Sequence, residues 1–456
     1  MSKDRLVIIG GDAAGMSAAS KVRRQQPQRQ LLVLEKTDHT SYSACGIPYY
    51  IGGQVENVNR LIARSPETFR DKYHIEVRTR HDVVAIEPDT QHVTIKIDGT
   101  REIREAYDQL LIATGARPFC PDVPRASSHG IFGLSTLASG IKVQEFLGRS
   151  APRLAVVVGG GYIGLEMAEA LVRRGLDVSL VQRGQEVMGT LDPDMGALVS
   201  QALRDIGVNL YLSEKLKGFE ANNGHVTAVV TDRRSLPADL VILGMGVRPN
   251  SELAADAGIG LGAKNAIKVD ATMRTDTENI WAAGDCVATV HRLTGQPTYI
   301  ALGTVANKQG LVAGINLAGG HANFPGVVGT AVSKICKVEV ARTGLQEKEL
   351  KKLGSNYSTA TIKTKTRAGY YPGAGYISVK MLGEKGSGRL LGAQIVGMEG
   401  AAKRIDVLAT ALTAGMTVAD LIDLDLSYAP PFSPVWDPVQ TAARQLLKTL
   451  ELQGDS

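Results

Sequence analysis

Leu154-Ala155-Val156-Val157-Val158-Gly159-Gly160-Gly161-Tyr162-Ile163-Gly164 is the stretch of sequence that decides the fold. Its apolar residues are typical of a buried parallel strand, and its glycines match the pattern G-x-G-x-x-G. We expect a helix over 165–174 and a second strand over 178–181. Glycines at these positions let the backbone approach a pyrophosphate at the start of a helix, so the stretch predicts a dinucleotide-binding unit.

A similar pattern begins 149 residues earlier, in Gly10-Gly11-Asp12-Ala13-Ala14-Gly15. An apolar run precedes this turn, a helix-like stretch follows over 16–24, and a second strand is expected over 31–34. Asp12 stands where the middle glycine is usual. Glu35 follows the second strand, twenty residues after the last glycine, where an acid accepts ribose hydroxyls. The chain therefore contains two nucleotide-binding domains.

The later unit differs at the end of its second strand, which leads into Gln182-Arg183 rather than an acid. A carboxylate would repel the 2′-phosphate of NADPH, whereas Arg183 could pair with it. A solvated surface arginine is the alternative interpretation of Arg183. We expect no absolute preference for NADH over NADPH.

Three further turns follow strand-like runs. One run ends in Thr114-Gly115-Ala116-Arg117-Pro118 and another in Gly244-Met245-Gly246-Val247-Arg248-Pro249. A third turn contains Asp285, after a strand and a glycine. Asp285 could bind the sugar hydroxyls of a cofactor or cap a following helix.

A cysteine-containing stretch, Ser41-Tyr42-Ser43-Ala44-Cys45-Gly46-Ile47-Pro48-Tyr49-Tyr50, lies shortly after the first unit. Pro48 suits the first turn of a helix, which would put Cys45 at or just before a helix N-terminus. Backbone N–H groups there favour thiolate over thiol. A small buried cysteine that packs a loop is the alternative. We interpret Cys120, Cys286 and Cys336 as packed residues without a catalytic role.

The sequence changes in character from about residue 326. Strands are expected over 376–381 and 390–396, and helices over 401–414 and 418–421. Two stretches rich in aromatic residues and proline carry Tyr370 and Tyr428, each of which could also be a packed tyrosine in a turn. No glycine fingerprint occurs in this region, so it is a domain of a different kind.

The composition is that of a globular protein, with 44% hydrophobic and 21% charged residues. The net charge is +5 without a basic run, which argues against nucleic-acid binding but suits anionic small molecules. No apolar run reaches the roughly 18 residues of a membrane span. The four cysteines have no zinc or CxxC spacing, and the sequence shows no signal peptide. These features predict a cytoplasmic protein without a metal site.

The chain as a whole resembles the pyridine nucleotide–disulfide oxidoreductases, and among them the single-cysteine branch. The resemblance rests on the cysteine stretch, the Thr-Gly-Ala-Arg-Pro turn at 114–118 and the Ala-Ala-Gly-Asp turn at 282–285. It implies an α/β fold of two Rossmann-like three-layer nucleotide-binding domains plus an α+β C-terminal dimerisation domain. The implied order is an FAD-binding part over 1–118, an NAD(P)H-binding domain over 119–252, a second FAD-binding part over 253–325, and the dimerisation domain over 326–456.

Residues that other members of the family have, and this chain lacks, narrow the choice among the members of the branch. Dithiol members carry a second cysteine where this chain has Tyr50, and a C-terminal histidine, whereas no histidine follows His321 here. Peroxidase relatives have a histidine where this chain has Ala13. Coenzyme A-disulfide reductases have two tyrosines, supplied by the partner subunit, at the positions of Tyr370 and Tyr428. This chain departs from some of them at Ala44, where they have asparagine.

The resemblance implies site residues in four groups. The catalytic residues are Cys45, Tyr370 and Tyr428. Those for FAD are Gly10, Gly11, Ala13, Ala14, Gly15, Glu35, Lys36, Ser43, Val83, Thr114, Gly115, Asp285 and Leu302. Those for NAD(P)H are Gly159, Gly161, Tyr162, Ile163, Gly164, Glu166, Gln182, Arg183 and Gly246. Those for coenzyme A are Lys21, Arg24, Ser41, Lys403 and Arg404, for which surface solvation is the alternative.

The implied activity is NAD(P)H-dependent, FAD-dependent reduction of a small disulfide or persulfide through Cys45 in a homodimer. Coenzyme A disulfide, coenzyme A persulfide and polysulfide are the expected acceptors. An NADH oxidase that reduces oxygen, a reductase of an electron-transfer protein, and a redox-sensing flavoprotein are the alternatives. An electron-transfer reductase would not need Cys45, which separates it from the other activities.

Overall fold

A computed structural model describes residues 4–451 of the chain. The helices are α1 (Ala13–Gln25), α2 (Ile47–Ile51), α3 (Pro66–Tyr73), α4 (Leu137–Ser150), α5 (Tyr162–Arg173), α6 (Pro193–Asp205), α7 (Glu252–Asp256), α8 (Gly303–Leu317), α9 (Glu347–Lys352), α10 (Ile405–Ala414), α11 (Val418–Ile422) and α12 (Pro438–Glu451). Short 3₁₀ turns cover Ala44–Gly46, Val58–Leu61, Ala263–Asn265 and Ala402–Arg404.

The strands in the first part of the chain are β1 (Arg5–Ile9), β2 (Gln30–Leu34), β3 (Glu76–Arg78), β4 (His81–Glu87), β5 (His92–Ile97), β6 (Arg101–Ala106), β7 (Gln109–Ile112), β8 (Ala116–Pro118), β9 (Ile131–Gly133), β10 (Leu154–Val158), β11 (Asp177–Gln182) and β12 (Asn209–Leu212). The remaining strands are β13 (Leu216–Asn222), β14 (His225–Thr231), β15 (Ser235–Pro237), β16 (Leu240–Leu243), β17 (Val247–Pro249), β18 (Ile280–Ala282), β19 (Thr289–Val290), β20 (Pro297–Thr298), β21 (Ala331–Ile335), β22 (Val338–Gly344), β23 (Tyr357–Lys365), β24 (Tyr376–Glu384) and β25 (Leu390–Gly397).

The first of two compact units comprises residues 4–119, 134–149 and 246–327. Its central sheet is parallel, with the strand order β18-β7-β1-β2-β3. Leu6 and Ile8 pack on one face with α1 and α8, and Val7 and Ile9 pack on the other face with β4 and β5. Because the sheet is covered on both faces, its strands are continuous apolar runs. The unit has the three layers of a Rossmann-like domain.

Small residues bring α1 and α8 close together. A Cβ atom at Gly310 would lie 2.3 Å from the Ala14 carbonyl oxygen, and one at Gly314 would lie 2.9 Å from Ala18. Gly284 has a positive φ of 91°, and a Cβ atom there would lie 2.8 Å from the Ala14 side chain. Larger residues would push α8 and the turn at Gly284 away from the start of α1. This packing holds the turn that carries Asp285 against the first glycine turn.

The second unit comprises residues 120–133, 150–245 and 328–451 and contains two larger sheets. The parallel sheet has the strand order β12-β11-β10-β16-β9, with α5 packed on it. The antiparallel sheet has the order β21-β22-β25-β24-β23 and is covered by α10 and α12. The predicted fold class is confirmed by these parallel and antiparallel sheets together with the first unit. Helix α4 belongs to the first unit, although the sequence analysis assigned its residues to the second nucleotide-binding domain.

A buried cation fastens the antiparallel sheet to the segment before α6. Lys380 is 4% exposed, and its Nζ lies 2.6 Å from Glu347, 2.8 Å from Asp194 and 3.2 Å from Asp192. Asp192 also accepts a hydrogen bond of 2.7 Å from Gln394. These contacts fix the chain that follows Gln182-Arg183. No helix within residues 4–451 is both long and apolar enough to span a membrane.

Candidate active site

The first glycine turn joins β1 to α1 at the carboxyl end of the parallel sheet. Gly10 has a positive φ of 107°, and a Cβ atom there would lie 2.2 Å from the Ala113 carbonyl oxygen. A Cβ atom at Gly15 would lie 2.0 Å from the Gly10 carbonyl oxygen. Helix α1 begins at Ala13, three residues earlier than predicted, because this glycine lies inside its first turn. The backbone therefore leaves the N-terminus of α1 open to an anionic group.

Glu35 stabilises this turn through hydrogen bonds. Its Oε2 accepts the Gly11 N–H at 2.8 Å, and its Oε1 accepts the backbone N–H of Thr37 at 2.8 Å and the Thr37 hydroxyl at 2.7 Å. The side chain is buried at the end of β2, where the sequence predicted an acid.

Asp12 and Asp285 are two further carboxyl groups, both partly buried. Burial, the nearby Glu35 and Asp285 raise the pKa of Asp12 to about 7, although the Tyr42 N–H bound to it opposes the shift. Burial raises the pKa of Asp285 to about 6. No helix begins directly after Asp285, since the next helix is α8, so its alternative role as a cap is not realised.

The residues around the turn fit FAD. The Oδ1 atom of Asp285 is buried and accepts no hydrogen bond from the described residues. Such an oxygen needs a donor, and a hydroxyl of the flavin ribityl chain would provide one. Gly10, Glu35, Thr114 and Asp285 all follow the carboxyl ends of neighbouring parallel strands, where ligands of open α/β sheets bind.

The other residues predicted to contact FAD are more scattered. Gly115 has a φ of 67°, with no atom near its potential Cβ position, and Leu302 is the N-cap of α8. Val83 is buried in β4, whereas Lys36 and Ser43 are exposed.

The cysteine stretch is tethered to the glycine turn. Ser41 donates its N–H to the Gly11 carbonyl at 3.0 Å, and Tyr42 donates its N–H to Asp12 Oδ1 at 3.2 Å. Cys45 lies in the 3₁₀ turn directly before α2, and Pro48 is in the first turn of that helix. Because α2 has only five residues, its dipole is small.

The four cysteines, all among the described residues, form no disulfide and differ in exposure. Cys45 is exposed, so packing does not account for it. Burial raises the pKa of Cys286, and burial together with Glu169 raises that of Cys336 to about 12, which makes both thiols unreactive. Cys120 is exposed, and its packing explanation is therefore wrong.

A cleft of about 290 Å³ lies beside the cysteine stretch, within the first unit. It is lined by Ala13, Met16, Ser17, Ser20, Arg24, Ser41, Arg64, Asn307 and Leu311. Arg24 and Ser41 were predicted to meet in such a site, whereas Lys21 is not among the lining residues. The sequence analysis missed Arg64, which the pairing of Tyr42 with Ile62 brings beside Ser41. Two arginines give the cleft the positive charge that a phosphorylated ligand requires.

The second glycine turn repeats the first. Gly159 has a φ of 106°, and a Cβ atom at Gly164 would lie 1.9 Å from the Gly159 carbonyl oxygen. Gln182 Oε1 accepts the Gly160 N–H at 3.2 Å, in the manner of Glu35 at Gly11. Arg183 is exposed beside it. The uncharged Gln182 side chain at this turn and the exposed Arg183 are compatible with binding of a 2′-phosphate.

The remaining residues predicted for NAD(P)H lie around the start of α5. Gly161 is its N-cap, Tyr162 and Ile163 form its first turn, and Gly246 is exposed with a φ of 96°. Glu166 faces the antiparallel sheet, where its Oε1 accepts the Ser333 hydroxyl at 2.7 Å. Burial raises the pKa of Glu166.

Tyr370 and Tyr428 are brought together in the second unit. They are 79% and 46% exposed. Desolvation and the neighbouring Tyr370 phenol raise the pKa of Tyr428. Lys403 is exposed and pairs with Asp406, while Arg404 is largely buried. No group of three or more potential metal-ligating side chains occurs in the described part of the chain.

Curated relatives match nearly the whole chain. A coenzyme A polysulfide/persulfide reductase using NAD(P)H from Pyrococcus horikoshii is 40% identical, over 97% of this chain and 98% of that protein. An NADH oxidase from Methanocaldococcus jannaschii is 37% identical, over 98% and 99%. A coenzyme A disulfide reductase from Staphylococcus epidermidis is 31% identical, over 94% and 97%.

A solved NAD-dependent persulfide reductase from A. fulgidus superimposes with a TM-score of 0.95 and 41% identity, covering 99% of this chain and 84% of that one. The model of the pyridine nucleotide-disulphide oxidoreductase family matches residues 4–310, and that of its dimerisation domain matches residues 330–438. This family uses FAD and NAD(P)H. The chain belongs to the pyridine nucleotide-disulphide oxidoreductase family.

Proposed function

We propose that this oxidoreductase reduces a small coenzyme A-derived disulfide or persulfide through Cys45. The observation that carries the proposal is the cleft beside the cysteine stretch, which is lined by Arg24, Arg64 and Ser41. Coenzyme A carries phosphates at one end and a thiol at the other. The two arginines would hold the phosphates, while the sulfur reaches Cys45, four residues beyond Ser41.

The reaction consists of one thiol–disulfide exchange and one two-electron reduction. The Cys45 thiolate attacks one sulfur of coenzyme A disulfide, forms a mixed disulfide and releases one coenzyme A thiolate. With a coenzyme A persulfide, the same attack releases hydrosulfide. Bound FAD supplies the link through which two electrons from NAD(P)H reduce the mixed disulfide, restoring the Cys45 thiolate and releasing coenzyme A.

The departing thiolate takes up a proton. The chain has no histidine after His321, so Tyr370 and Tyr428 are the proposed donors. The raised pKa of Tyr428 keeps its phenol protonated at neutral pH. We further propose a homodimer through the dimerisation domain, in which the tyrosines of one subunit serve Cys45 of the other, as the family resemblance implies.

Oxygen reduction is the second candidate, because one relative is an NADH oxidase and Cys45 is exposed. In that reaction Cys45 would cycle through a sulfenate. Reduction of an electron-transfer protein would leave Cys45 without a role.

Steady-state assays separate these activities. Purified enzyme is given NADPH or NADH with coenzyme A disulfide, coenzyme A persulfide, polysulfide or oxygen alone. We expect Cys45→Ser to abolish sulfur reduction and Cys120→Ser, which removes the other exposed thiol, to retain it. Fast consumption of NADH with oxygen alone, unchanged by sulfur substrates, would favour the oxidase.

A second comparison tests the cleft. Arg64→Gln should raise KM for coenzyme A disulfide but not for pantethine, the corresponding disulfide that lacks the phosphates. An equal change for both substrates would remove the cleft from the proposal.

A further inference from the structure

Arg404 is the hub of a hydrogen-bond network in the second unit. Its side chain is 11% exposed, and its Nε donates to Asp437 Oδ2 at 2.9 Å. Its Nη1 donates to the Gly400 carbonyl at 2.6 Å, and its Nη2 donates to the carbonyls of Thr366 at 2.9 Å and Phe432 at 2.8 Å. The guanidinium therefore uses at least four of its five N–H groups.

Two of these acceptors, Thr366 and Phe432, belong to the two segments that carry the tyrosines. Thr366 directly follows β23 and begins the segment that contains Tyr370, and Phe432 lies four residues after Tyr428. The segments also meet where Ala368 donates its N–H to the Pro430 carbonyl at 3.2 Å. Arg404 thus spans both segments at their bases.

Asp437 extends the network further along the second segment. It accepts the Ser433 hydroxyl at 3.0 Å as well as the Arg404 Nε. A planar guanidinium can reach a carboxylate and three carbonyls at fixed angles, whereas a lysine ammonium is a point charge on a flexible stem. The geometry demands arginine at this position.

This arrangement argues against Arg404 as a phosphate ligand. At most one N–H remains, so a bidentate contact with a phosphate would require the network to break. The neighbouring Lys403 differs, because it is 81% exposed and has a single ion pair with Asp406. Two adjacent basic residues therefore have different surroundings.

We propose that Arg404 is a positioning residue that holds the segments of Tyr370 and Tyr428 so that the two phenols form one preorganised proton-donating pair. The inference rests on the proposed function, which assigns proton donation to these tyrosines. Arg404 itself touches no substrate. A buried, saturated guanidinium fixes the separation of the two segments, and a misplacement of about 1 Å in a proton donor can cost on the order of a hundredfold in rate.

Arg404→Lys is the first test, because it keeps the positive charge but loses the planar guanidinium that donates to several acceptors at once. We expect kcat to fall about tenfold to a hundredfold, equally with coenzyme A disulfide and pantethine, while KM stays within about twofold. The alkaline limb of the kcat profile should also move to lower pH, because a loosened phenol pair no longer raises the pKa of Tyr428. In Lys403→Gln, by contrast, KM for coenzyme A disulfide should rise. A rise of KM in Arg404→Lys confined to coenzyme A disulfide would overturn the proposal.

Asp437→Asn and a double-mutant cycle provide independent routes. Asp437→Asn weakens the same network from the other side and should reproduce the kcat loss of Arg404→Lys. In a protein that already carries Tyr370→Phe and Tyr428→Phe, Arg404→Lys should cause no further loss of kcat. A further loss of the same size as in the wild type would show that Arg404 acts otherwise.

Two controls separate misfolding and failure of the proposed function from failure of this inference. The FAD content and the rate of flavin reduction by NADPH should be normal in Arg404→Lys, since neither needs the tyrosines. If the double tyrosine variant keeps the wild-type rate, the proposed donors are wrong and Arg404 has nothing to position. If the tyrosine variants are impaired and Arg404→Lys is not, only the positioning role fails.

Discussion

Asp12 offers a test of the electrostatics of the first glycine turn. It occupies the position of the usual middle glycine, with Glu35 and Asp285 nearby. Its pKa rises from 3.8 to about 7. A shift of about 3 units, at about 1.4 kcal/mol per unit, corresponds to a cost of about 4 kcal/mol for ionised Asp12 in the folded protein.

The direction in which stability changes with pH follows from the number of protons that the folded and unfolded states bind. Between about pH 4 and pH 7 the folded protein retains a proton at Asp12 that the unfolded chain has released. The folded state therefore binds more protons, and its stability decreases as the pH rises through this window. Asp12→Asn keeps an oxygen that can accept the Tyr42 N–H but cannot ionise. The variant should become more stable than the wild type by an increasing margin, which grows by about 3 kcal/mol between pH 5 and pH 8.

Urea unfolding of flavin-free protein at pH 5 and pH 8 measures this margin. Asp89→Asn, at an exposed turn after β4, is the matched control for the substitution itself. Asp12→Gly removes both the charge and the hydrogen bond to Tyr42, and so separates the two contributions. A margin between wild type and Asp12→Asn that does not change with pH would refute the reasoning.

Three other predictions concern nucleotide choice, stability and assembly. Arg183→Ala should weaken NADPH binding more than NADH binding, on the order of 1–3 kcal/mol from the lost charge-assisted bond, and equal KM changes would count against a 2′-phosphate contact. Lys380→Met leaves three carboxylates without their cation and should lower the free energy of unfolding by about 3–5 kcal/mol, whereas the exposed Lys352→Met should change it little in the same urea titration. Mixing Cys45→Ser with Tyr428→Phe protein should restore part of the activity through hybrid dimers, and no recovery after subunit exchange would contradict a shared site.

The local parts of the fold could be predicted from the sequence. Strands β1 and β10 and both glycine turns have strong short-range patterns, and their positions agree with the predictions. Helix α10 begins at Ile405 rather than 401, because the preceding residues form a 3₁₀ turn. Boundaries of this kind depend on packing and capping, which periodicity does not encode.

The candidate site was predicted less completely, because its contacts join distant parts of the chain. Arg64 reaches the cleft through the pairing of Tyr42 with Ile62, which no local pattern reveals. The surroundings of Arg404 come from four places in the chain, whereas the sequence suggested only coenzyme A binding or surface solvation for this residue. Exposure of Cys120 also could not be inferred from its neighbours in sequence.

The most direct test of the central claim is to trap the mixed disulfide on Cys45. Enzyme whose cysteines are reduced and whose FAD is oxidised is mixed, without NADPH, with one equivalent of coenzyme A disulfide, quenched in acid and analysed by intact mass and peptide mapping. The account predicts one coenzyme A adduct on the peptide that contains Cys45, none on the peptide that contains Cys120, and no adduct in Cys45→Ser. Turnover of coenzyme A disulfide by Cys45→Ser at the wild-type rate, or an adduct on another cysteine, would contradict it.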